Sequence, residues 1–243
     1  MKISSPAVAA AMSGTRMSRR RMLALAGASS VAALAAVARS QTPAPLSCVA
    51  RPRQTEGPFF VEEPLDRSDL RSDPRSGQTS AGVPLRLAFR VSRLAQGDCA
   101  ALAGARVDVW HCDAAGRYSD VRGFGASTAG TQFLRGYQLT DAHGVAQFLT
   151  IYPGWYFGRA VHVHFKIRSS DARDEVRDFT SQLYFDERLT ERVYAGEPYA
   201  QRPPRWLRNE DDALYREGGR ELTLAPEPEG EGYAARFDVA LPV

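Results

Sequence analysis

The chain has 243 residues, of which 44% are hydrophobic and 24% are charged, as is ordinary for one soluble globular domain with a substantial core. The formal net charge is +3, but residues 1–38 hold five Lys or Arg residues and no acidic residue, so the remainder carries −2 (3 − 5). Nothing in this balance points to a nucleic-acid partner.

The first segment, residues 1–38, is predicted to be an export signal. Three arginines at residues 19–21 precede an alanine- and leucine-rich run that ends in Ala36-Val37-Ala38. These are the charged, apolar and cleavage-site parts of a secretory signal, and the paired arginines resemble a twin-arginine signal. The apolar run is short and weakly apolar, which argues against a retained anchor but leaves it open. We expect an exported protein, periplasmic or secreted, with no stable membrane insertion after cleavage.

Residues 39–83 are rich in Pro, Ser, Asp and Arg without periodicity, and are predicted to form an extended N-terminal arm. From residue 84 to residue 243, short β-branched and aromatic segments alternate with turn signals, and only Glu187–Ala195 stands out as a short helix. The pattern predicts an all-β domain, a β-sandwich of mostly antiparallel strands with long loops and little helix. The predicted strands are Pro84–Leu94, Ala105–Cys112, Phe133–Leu139, Val145–Ile151, Ala160–Ile167, Phe179–Phe185, Glu221–Leu224 and Tyr233–Leu241.

Three local patterns give finer predictions. Residues 141–144 (Asp-Ala-His-Gly) lie between two predicted strands, so a hairpin is expected, with Gly144 at a positive φ. The last strand alternates between apolar and charged residues, so one of its faces should be buried. Among the three cysteines, Cys99 and Cys112 are the expected disulfide pair, because Cys112 ends a strand and Cys99 lies in the loop before it.

The residues that suggest chemistry begin with a His-x-His pair. Alternate side chains of a strand share a face, so His162 and His164 should project together and can bind one metal ion. Such a pair alone is more often structural. Two tyrosines strengthen the metal hypothesis. Tyr156 lies six residues before His162 and follows a Pro-Gly turn, and Tyr118 follows a turn after another strand.

Two tyrosines and two histidines form a distinctive donor set. Structural zinc sites prefer cysteine and histidine, and ferrous oxygenase sites prefer two histidines and one carboxylate. Phenolate is a hard anionic donor, and two phenolates partly neutralise a trivalent cation. The donor set therefore favours ferric iron.

Seven further segments matter for the function: Thr55–Phe60, Val107–Trp110, Gly116–Tyr118, Arg135–Gln138, Thr140–Asp141, Tyr152–His164 and Gln182–Phe185. Taken together, these segments resemble the intradiol ring-cleavage dioxygenases, the family of catechol and protocatechuate dioxygenases. The resemblance covers about residues 48–186. The predicted export signal and the run Trp110–Asp113 together resemble a secreted branch of this family.

The resemblance implies a non-haem Fe(III) enzyme that uses O2 to cleave a catechol between its two hydroxylated carbons, giving a cis,cis-muconate-type diacid. The implied metal ligands are Tyr118, Tyr156, His162 and His164. Tyr118 would stay bound, while Tyr156 would be displaced by the substrate and take one of its protons. Arg159 would lie beside the substrate and stabilise negative charge, and Gln182 would line the same pocket. The partners are then a small aromatic diol and O2; which catechol, and whether the enzyme is a homo-oligomer, stay open.

Two other classes of function remain as alternatives. The first is a secreted β-sandwich binding module that has kept the fold without a metal. The second is a zinc hydrolase that uses His162 and His164 with a carboxylate, the nearest being Asp171 and Asp174. No segment carries the His-Glu-x-x-His pattern that such hydrolases place on a helix.

Overall fold

The computed structural model describes residues 48–95, 98–123, 126–170 and 176–242. The predicted export signal, residues 1–38, and the first part of the predicted arm therefore lie outside the described residues. Among the helices of these ranges, none has the length and the apolar character that a membrane-spanning segment needs.

The described strands form two five-stranded sheets that pack as a sandwich. The first sheet contains β1 (Pro84–Ala95), β2 (Asp98–Ala101), β5 (Val145–Ile151), β9 (Glu227–Glu229) and β10 (Gly232–Pro242). The second contains β3 (Arg106–Trp110), β4 (Arg135–Leu139), β6 (His162–Ser170), β7 (Val176–Phe185) and β8 (Thr223–Leu224). Pairing is antiparallel except for β1 with β10 and β7 with β8. The predicted all-β sandwich is confirmed.

The described helical elements are short, and all of them lie between β7 and β8. They are α1 (Glu187–Tyr194), α2 (Ala213–Arg216) and three 3₁₀ segments, Tyr199–Gln201, Asn209–Asp211 and Gly219–Leu222. The predicted helix corresponds to α1, which begins after an Asp186 side chain that accepts a hydrogen bond from the Leu189 amide.

The core between the sheets is built on aromatic rings. Phe89 of β1 lies 5.2 Å from Phe165 of β6, measured between ring centroids, and Phe165 lies 5.4 Å from Phe237 of β10. On β10, Phe237 and Val239 are buried while Arg236 between Ala235 and Phe237 is exposed, which confirms the predicted alternation. Each fully buried aromatic side chain contributes about 1.5–3 kcal/mol from removal of its apolar surface from water.

The predicted hairpin at residues 141–144 is wrong, although its turn is present. Gly144 has a φ of 75°, and its amide donates to the Asp141 carbonyl. The flanking strands, however, belong to different sheets: β4 pairs with β3, and β5 pairs with β1 over Pro84–Arg90. Turn chemistry specifies a chain reversal but not the partner strand, and here the long pairing of β5 with β1 decides the partner.

The predicted Cys99–Cys112 disulfide is also wrong. Cys48 and Cys99 are bonded, with a Cα–Cα distance of 5.6 Å, while Cys112 is free and buried. Cys99 lies on β2 in the first sheet, whereas Cys112 follows β3 of the second sheet, and its thiol donates to the Gly154 carbonyl at 3.4 Å. The disulfide therefore ties the N-terminal segment to the edge of the first sheet.

Residues 48–83 run along both sheets in an extended form. Asp66 forms a parallel bridge with Tyr137 of β4, and Asp69 forms one with Leu149 of β5. The Arg67 guanidinium adds a hydrogen bond of 2.9 Å to the Arg135 carbonyl. These contacts hold residues 66–69 against β4 and β5. Residues 55–60 are held by the second sheet, where Gln182 of β7 donates to the Thr55 carbonyl at 2.9 Å and Arg135 of β4 donates to the Phe59 carbonyl at 3.3 Å.

Candidate metal centre

Strand β6 starts with two buried histidines that face each other. The Nε2 atoms of His162 and His164 are 3.0 Å apart, as expected when alternate side chains of a strand share a face. His164 stacks on Trp110 of β3, with 5.1 Å between ring centroids and 6° between ring planes. Another buried histidine, His111, bonds instead to the Thr150 hydroxyl at 2.6 Å. The structure thus brings together the two histidines predicted as ligands.

Two tyrosines reach His162 from separate loops. Tyr118 Oη lies 3.4 Å and Tyr156 Oη lies 3.3 Å from His162 Nε2. Tyr118 belongs to the loop after β3, and Tyr156 to the loop between β5 and β6. All four predicted ligand side chains therefore converge on one point.

The loops that carry Tyr118 and Tyr156 pack closely against each other at two glycines. Gly116 has a φ of 81°, and a Cβ at this position would lie 2.2 Å from the Trp155 carbonyl oxygen. Gly154 donates its amide to the Asp113 carbonyl at 3.1 Å, and its Cβ would lie 2.4 Å from the same oxygen. Only glycine permits this approach of backbone to backbone. The spacing of the two phenols is thus set by the backbone of both loops.

The hydrogen bonding of the cluster is incomplete without a further group. The His162 Nδ1 atom lies 2.7 Å from the Ala160 carbonyl and donates its proton there, which leaves Nε2 with one lone pair. That lone pair faces two phenols and a second imidazole. His164 Nδ1 is buried and has no hydrogen-bond partner among the described residues. A single acceptor cannot satisfy three neighbours, so the cluster is better suited to a shared ion.

The donor separations fit one metal ion. Ligand atoms about 2.1 Å from a first-row metal lie about 3.0 Å apart at right angles and about 3.4 Å apart at tetrahedral angles. The observed separations of 3.0, 3.3 and 3.4 Å cover this range. Burial lowers the pKa of both histidines well below the usual range, which keeps their nitrogen lone pairs available. The hydrogen bond at His162 Nδ1 fixes the tautomer that ligation through Nε2 needs.

The phenols favour a strongly charged cation. Burial raises the pKa of Tyr118 well above its usual range and raises that of Tyr156 to about 12, against an opposing effect of the Arg159 charge. Two phenolates at this depth therefore need a positive partner. A trivalent cation would balance them, which is the chemistry of ferric iron rather than of a structural zinc site.

Arg159 is fixed on three sides. Its Nε donates to Asp212 Oδ2 at 2.9 Å, and its Nη2 donates to Gln182 Oε1 at 2.6 Å and to the Tyr184 hydroxyl at 3.2 Å. Gln182 in turn donates to the Thr55 carbonyl at 2.9 Å. Arg159 lies on the wall of a cavity, whereas Gln182 is fully buried behind it and is not among the lining residues. Gln182 therefore acts on the cavity indirectly, by accepting a hydrogen bond from Arg159.

Asp212 belongs to the site, although it was not among the residues predicted from the sequence. This buried carboxylate accepts hydrogen bonds from Arg159 Nε, from the Ala160 amide at 2.8 Å and, through its other oxygen, from the Leu214 amide at 2.8 Å. It is the N-cap of α2, and an Asp before Ala-Leu-Tyr is a capping signal. Because α2 has only four residues, no helical periodicity marks the position.

A cavity of about 640 Å³ opens beside the two phenols. The N-terminal segment supplies part of its wall, since Phe59 stacks on Tyr118 at 4.3 Å and meets the edge of Tyr156 at 5.6 Å. The described lining residues are Thr55, Gly57, Pro58, Phe59, Gly116, Arg117, Tyr118, Val121, Ala126, Thr128, Tyr156, Phe157, Arg159 and Leu214.

Carboxylates do not join the cluster in the described part of the chain. No group of three or more His, Cys, Asp or Glu residues there is placed to hold a metal ion. Asp171 and Asp174, the carboxylates considered for a zinc hydrolase, lie outside the described residues.

Comparisons with known proteins point to one family. A family model described as "Dioxygenase" matches residues 55–194, which is 140 of 243 residues (194 − 55 + 1). Chlorocatechol 1,2-dioxygenase of Pseudomonas sp. (strain P51) is 29% identical over 150 residues, 54% of this chain and 54% of that protein. The chain thus matches about half the length of this curated relative.

Solved structures agree with the sequence match. An intradiol ring-cleavage dioxygenase from Tetranychus urticae is 28% identical, with a TM-score of 0.67 over 79% of this chain and 94% of that chain. The dioxygenase domain of a dioxygenase carbohydrate-binding protein fusion from Streptomyces sp. SirexAA-E is 28% identical, with a TM-score of 0.55 over 80% and 99% of the two chains. The chain belongs to the intradiol ring-cleavage dioxygenase family.

Proposed function

We propose that this protein is a non-haem Fe(III)-dependent intradiol dioxygenase. Its substrate is a catechol, whose ring it cleaves between the two hydroxylated carbons with O2. Both oxygen atoms enter the product, so a catechol and O2 give a cis,cis-muconate-type diacid with no other reductant. The observation that carries the proposal is the convergence of two phenol oxygens and a second imidazole on His162 Nε2, at 3.0–3.4 Å.

The residues proposed to hold the iron are Tyr118, Tyr156, His162 and His164. Ferric iron bound by these residues would supply Lewis-acid chemistry that draws electron density from the catechol and makes its ring carbon reactive toward O2. The protein's own contribution is position and charge. Trp110 and Phe59 pack against His164 and Tyr118 and shield the inner end of the site from water.

Tyr156 is the group proposed to take a proton from the substrate. A catechol that binds through both oxygens must lose two protons, and a phenolate oxygen at the cavity wall can accept one of them. Both tyrosines line the cavity, but Tyr118 is buried whereas Tyr156 is partly exposed. The positive charge of Arg159 opposes the rise in pKa that burial causes in both tyrosines, and at Tyr156 its effect is second only to that of burial. Tyr156 is therefore better placed than Tyr118 to exchange protons with a ligand.

Arg159 is proposed to stabilise the negative charge that develops on the substrate. Asp212, Gln182 and Tyr184 hold its guanidinium in one orientation at the cavity wall. A cation that is already held in position stabilises developing charge without first having to reorganise. This makes Arg159 a second catalytic residue beside the metal ligands.

We further propose that residues 1–38 are a twin-arginine export signal, that residues 39–83 form the arm, and that residues 84–243 form the catalytic domain. The Cys48–Cys99 disulfide supports an exported protein, because such bonds persist mainly in oxidising compartments. Twin-arginine export would allow the protein to fold and bind its metal before translocation.

Oxygen uptake with a panel of catechols tests the proposed reaction. We expect one O2 consumed per catechol and a diacid product, with activity lost after removal of iron and restored by iron but not by zinc. Zinc-dependent hydrolytic activity without O2 uptake would support the hydrolase alternative. An iron-replete protein that consumes no O2 with any catechol would contradict the proposal and favour the binding module.

A further inference from the structure

The cavity beside the candidate metal centre is much larger than a catechol ring. Its volume of about 640 Å³ lies within the range of about 300–1,000 Å³ typical of sites for drug-sized ligands. Buried Tyr118 marks its inner end, and exposed Phe157 marks its mouth. Pro58, Val121 and Leu214 add apolar surface to the wall. A catechol bound at the metal would leave most of this apolar space to a substituent.

Two exposed aromatic rings extend the wall beyond the mouth. Phe157 is 70% exposed and Trp206 is 58% exposed, and their ring centroids are 4.5 Å apart with 39° between the planes. Phe157 directly follows Tyr156, so the pair is continuous with the candidate metal centre. Exposed apolar surface of this kind, next to a cavity, is typical of a ligand-binding groove.

The segment that carries Trp206 is anchored on both sides. Arg205 Nη2 donates to Glu187 Oε2 of α1 at 2.6 Å, and the Asn209 amide donates to Glu187 Oε1 at 2.7 Å. The Asn209 side chain adds a hydrogen bond of 2.8 Å to the Phe185 carbonyl. The position of Trp206 is therefore set before a ligand arrives, which lowers the entropic cost of binding.

The charges of the wall argue against a charged substituent. Arg117 is paired with Asp113 at 2.6 Å, and Arg159 is paired with Asp212 at 2.9 Å. Each described arginine of the lining thus already has a carboxylate partner. A carboxylate on the ring would have to compete with these pairs, whereas an uncharged aromatic group would bury apolar surface against Phe157.

We propose that Phe157 and Trp206 form an aromatic platform that binds the second ring of an aryl-substituted catechol. The substrate class of the site is then a catechol with an uncharged aromatic substituent, in preference to bare catechol or a catechol carboxylate. This inference rests on the proposed function, and it adds the substrate class to it.

Two measurements on the iron-replete protein test the platform. The first is the dissociation constant for catechol, 4-phenylcatechol and protocatechuate, measured by calorimetry without oxygen. The second is kcat/KM for the same compounds from oxygen uptake. The variants are Trp206→Ala, Phe157→Ala and Trp206→Phe, and the control is Leu139→Ala, which removes another exposed side chain (55%) outside the cavity lining.

We expect the wild type to bind 4-phenylcatechol more tightly than the other two compounds. Either alanine variant should reduce the preference for 4-phenylcatechol over catechol about tenfold, the loss of one aromatic contact with its buried area. Trp206→Phe should keep most of the preference, and Leu139→Ala should keep all of it. An unchanged preference in both alanine variants, or tighter binding of protocatechuate, would overturn the platform.

The outcome separates this inference from the proposed function. Normal oxygen uptake with no effect of the platform variants would leave the proposed function standing and reject the platform. Absence of oxygen uptake with every catechol would contradict the proposed function, and the binding constants measured without oxygen would still decide whether the platform exists.

Discussion

Replacing Asp212 by alanine should both destabilise the protein and impair catalysis. Asp212 is 1% exposed and accepts hydrogen bonds from Arg159 Nε, the Ala160 amide and the Leu214 amide. Removing one partner of a buried ion pair costs about 3–5 kcal/mol. We expect the cost of breaking the Asp212–Arg159 pair to lie at the lower end of this range, because Arg159 lies on an open cavity and keeps its hydrogen bond to Gln182.

Loss of the cap of α2 adds about 1 kcal/mol, so the free energy of unfolding should fall by about 4 kcal/mol. For a domain of this size that corresponds to a decrease in Tm of about 8–16 °C. Because Asp212 is not a proposed ligand, the variant should keep its iron. Its kcat/KM for catechols should fall about 10- to 100-fold, since small errors in the position of a catalytic group have effects of this size.

Asp186→Ala is the matched control. Asp186 also caps a helix, and its side chain accepts from the Leu189 amide at 3.1 Å without contacting Arg159. This variant should lose about 1 kcal/mol of stability and no activity. Urea unfolding, iron content and kcat/KM of both variants check the prediction. Equal losses of stability and activity in the two variants would refute the role given to the Asp212–Arg159 pair.

Three further predictions concern the fold and the loops. Reduction of the Cys48–Cys99 disulfide, whose cysteines are 51 residues apart, should lower the free energy of unfolding by up to about 4 kcal/mol in the chain-entropy account; an unchanged urea midpoint would contradict this. Gly116→Ala should displace the Trp155 carbonyl, which its Cβ would approach to 2.2 Å, and iron content should fall, whereas full iron occupancy would show that the loops tolerate the change. Phe165→Ala should cost about 3–5 kcal/mol in unfolding experiments through the cavity it leaves, and a cost below about 1 kcal/mol would mean that the aromatic core collapses around it.

Features that depend on residues close together in the chain were predictable from the sequence. The period of two in strands predicted that His162 and His164 face the same side and that β10 buries one face, since both follow from backbone geometry alone. The turn at residues 141–144 was also predicted correctly as a turn. Residue identity suggested the donor set of the candidate centre, because two tyrosines with two histidines form an unusual combination.

Features that depend on the packing of distant segments were not predictable. The partner of β5 is set by the first sheet and not by the turn before it. The partner of Cys99 is set by the position of Cys48, whose sulfur lies 3.7 Å from the Ser92 hydroxyl of β1. Asp212 lies 53 residues after Arg159 and is brought to it by the helical segments that return from β7. No local pattern carries such information, because a single buried carboxylate has no period.

The visible absorption spectrum of the purified, iron-replete protein tests the central claim most directly. Phenolate bound to ferric iron gives a broad charge-transfer band and a wine-red colour, so the wild type should be coloured, and Tyr118→Phe and Tyr156→Phe should each shift or weaken the band. Tyr152→Phe is the matched control, because Tyr152 bonds to Thr190 at 2.7 Å and stands apart from the four donors; its band should not change. A colourless protein with stoichiometric iron, or a band that neither ligand variant alters, would contradict the four-ligand ferric centre.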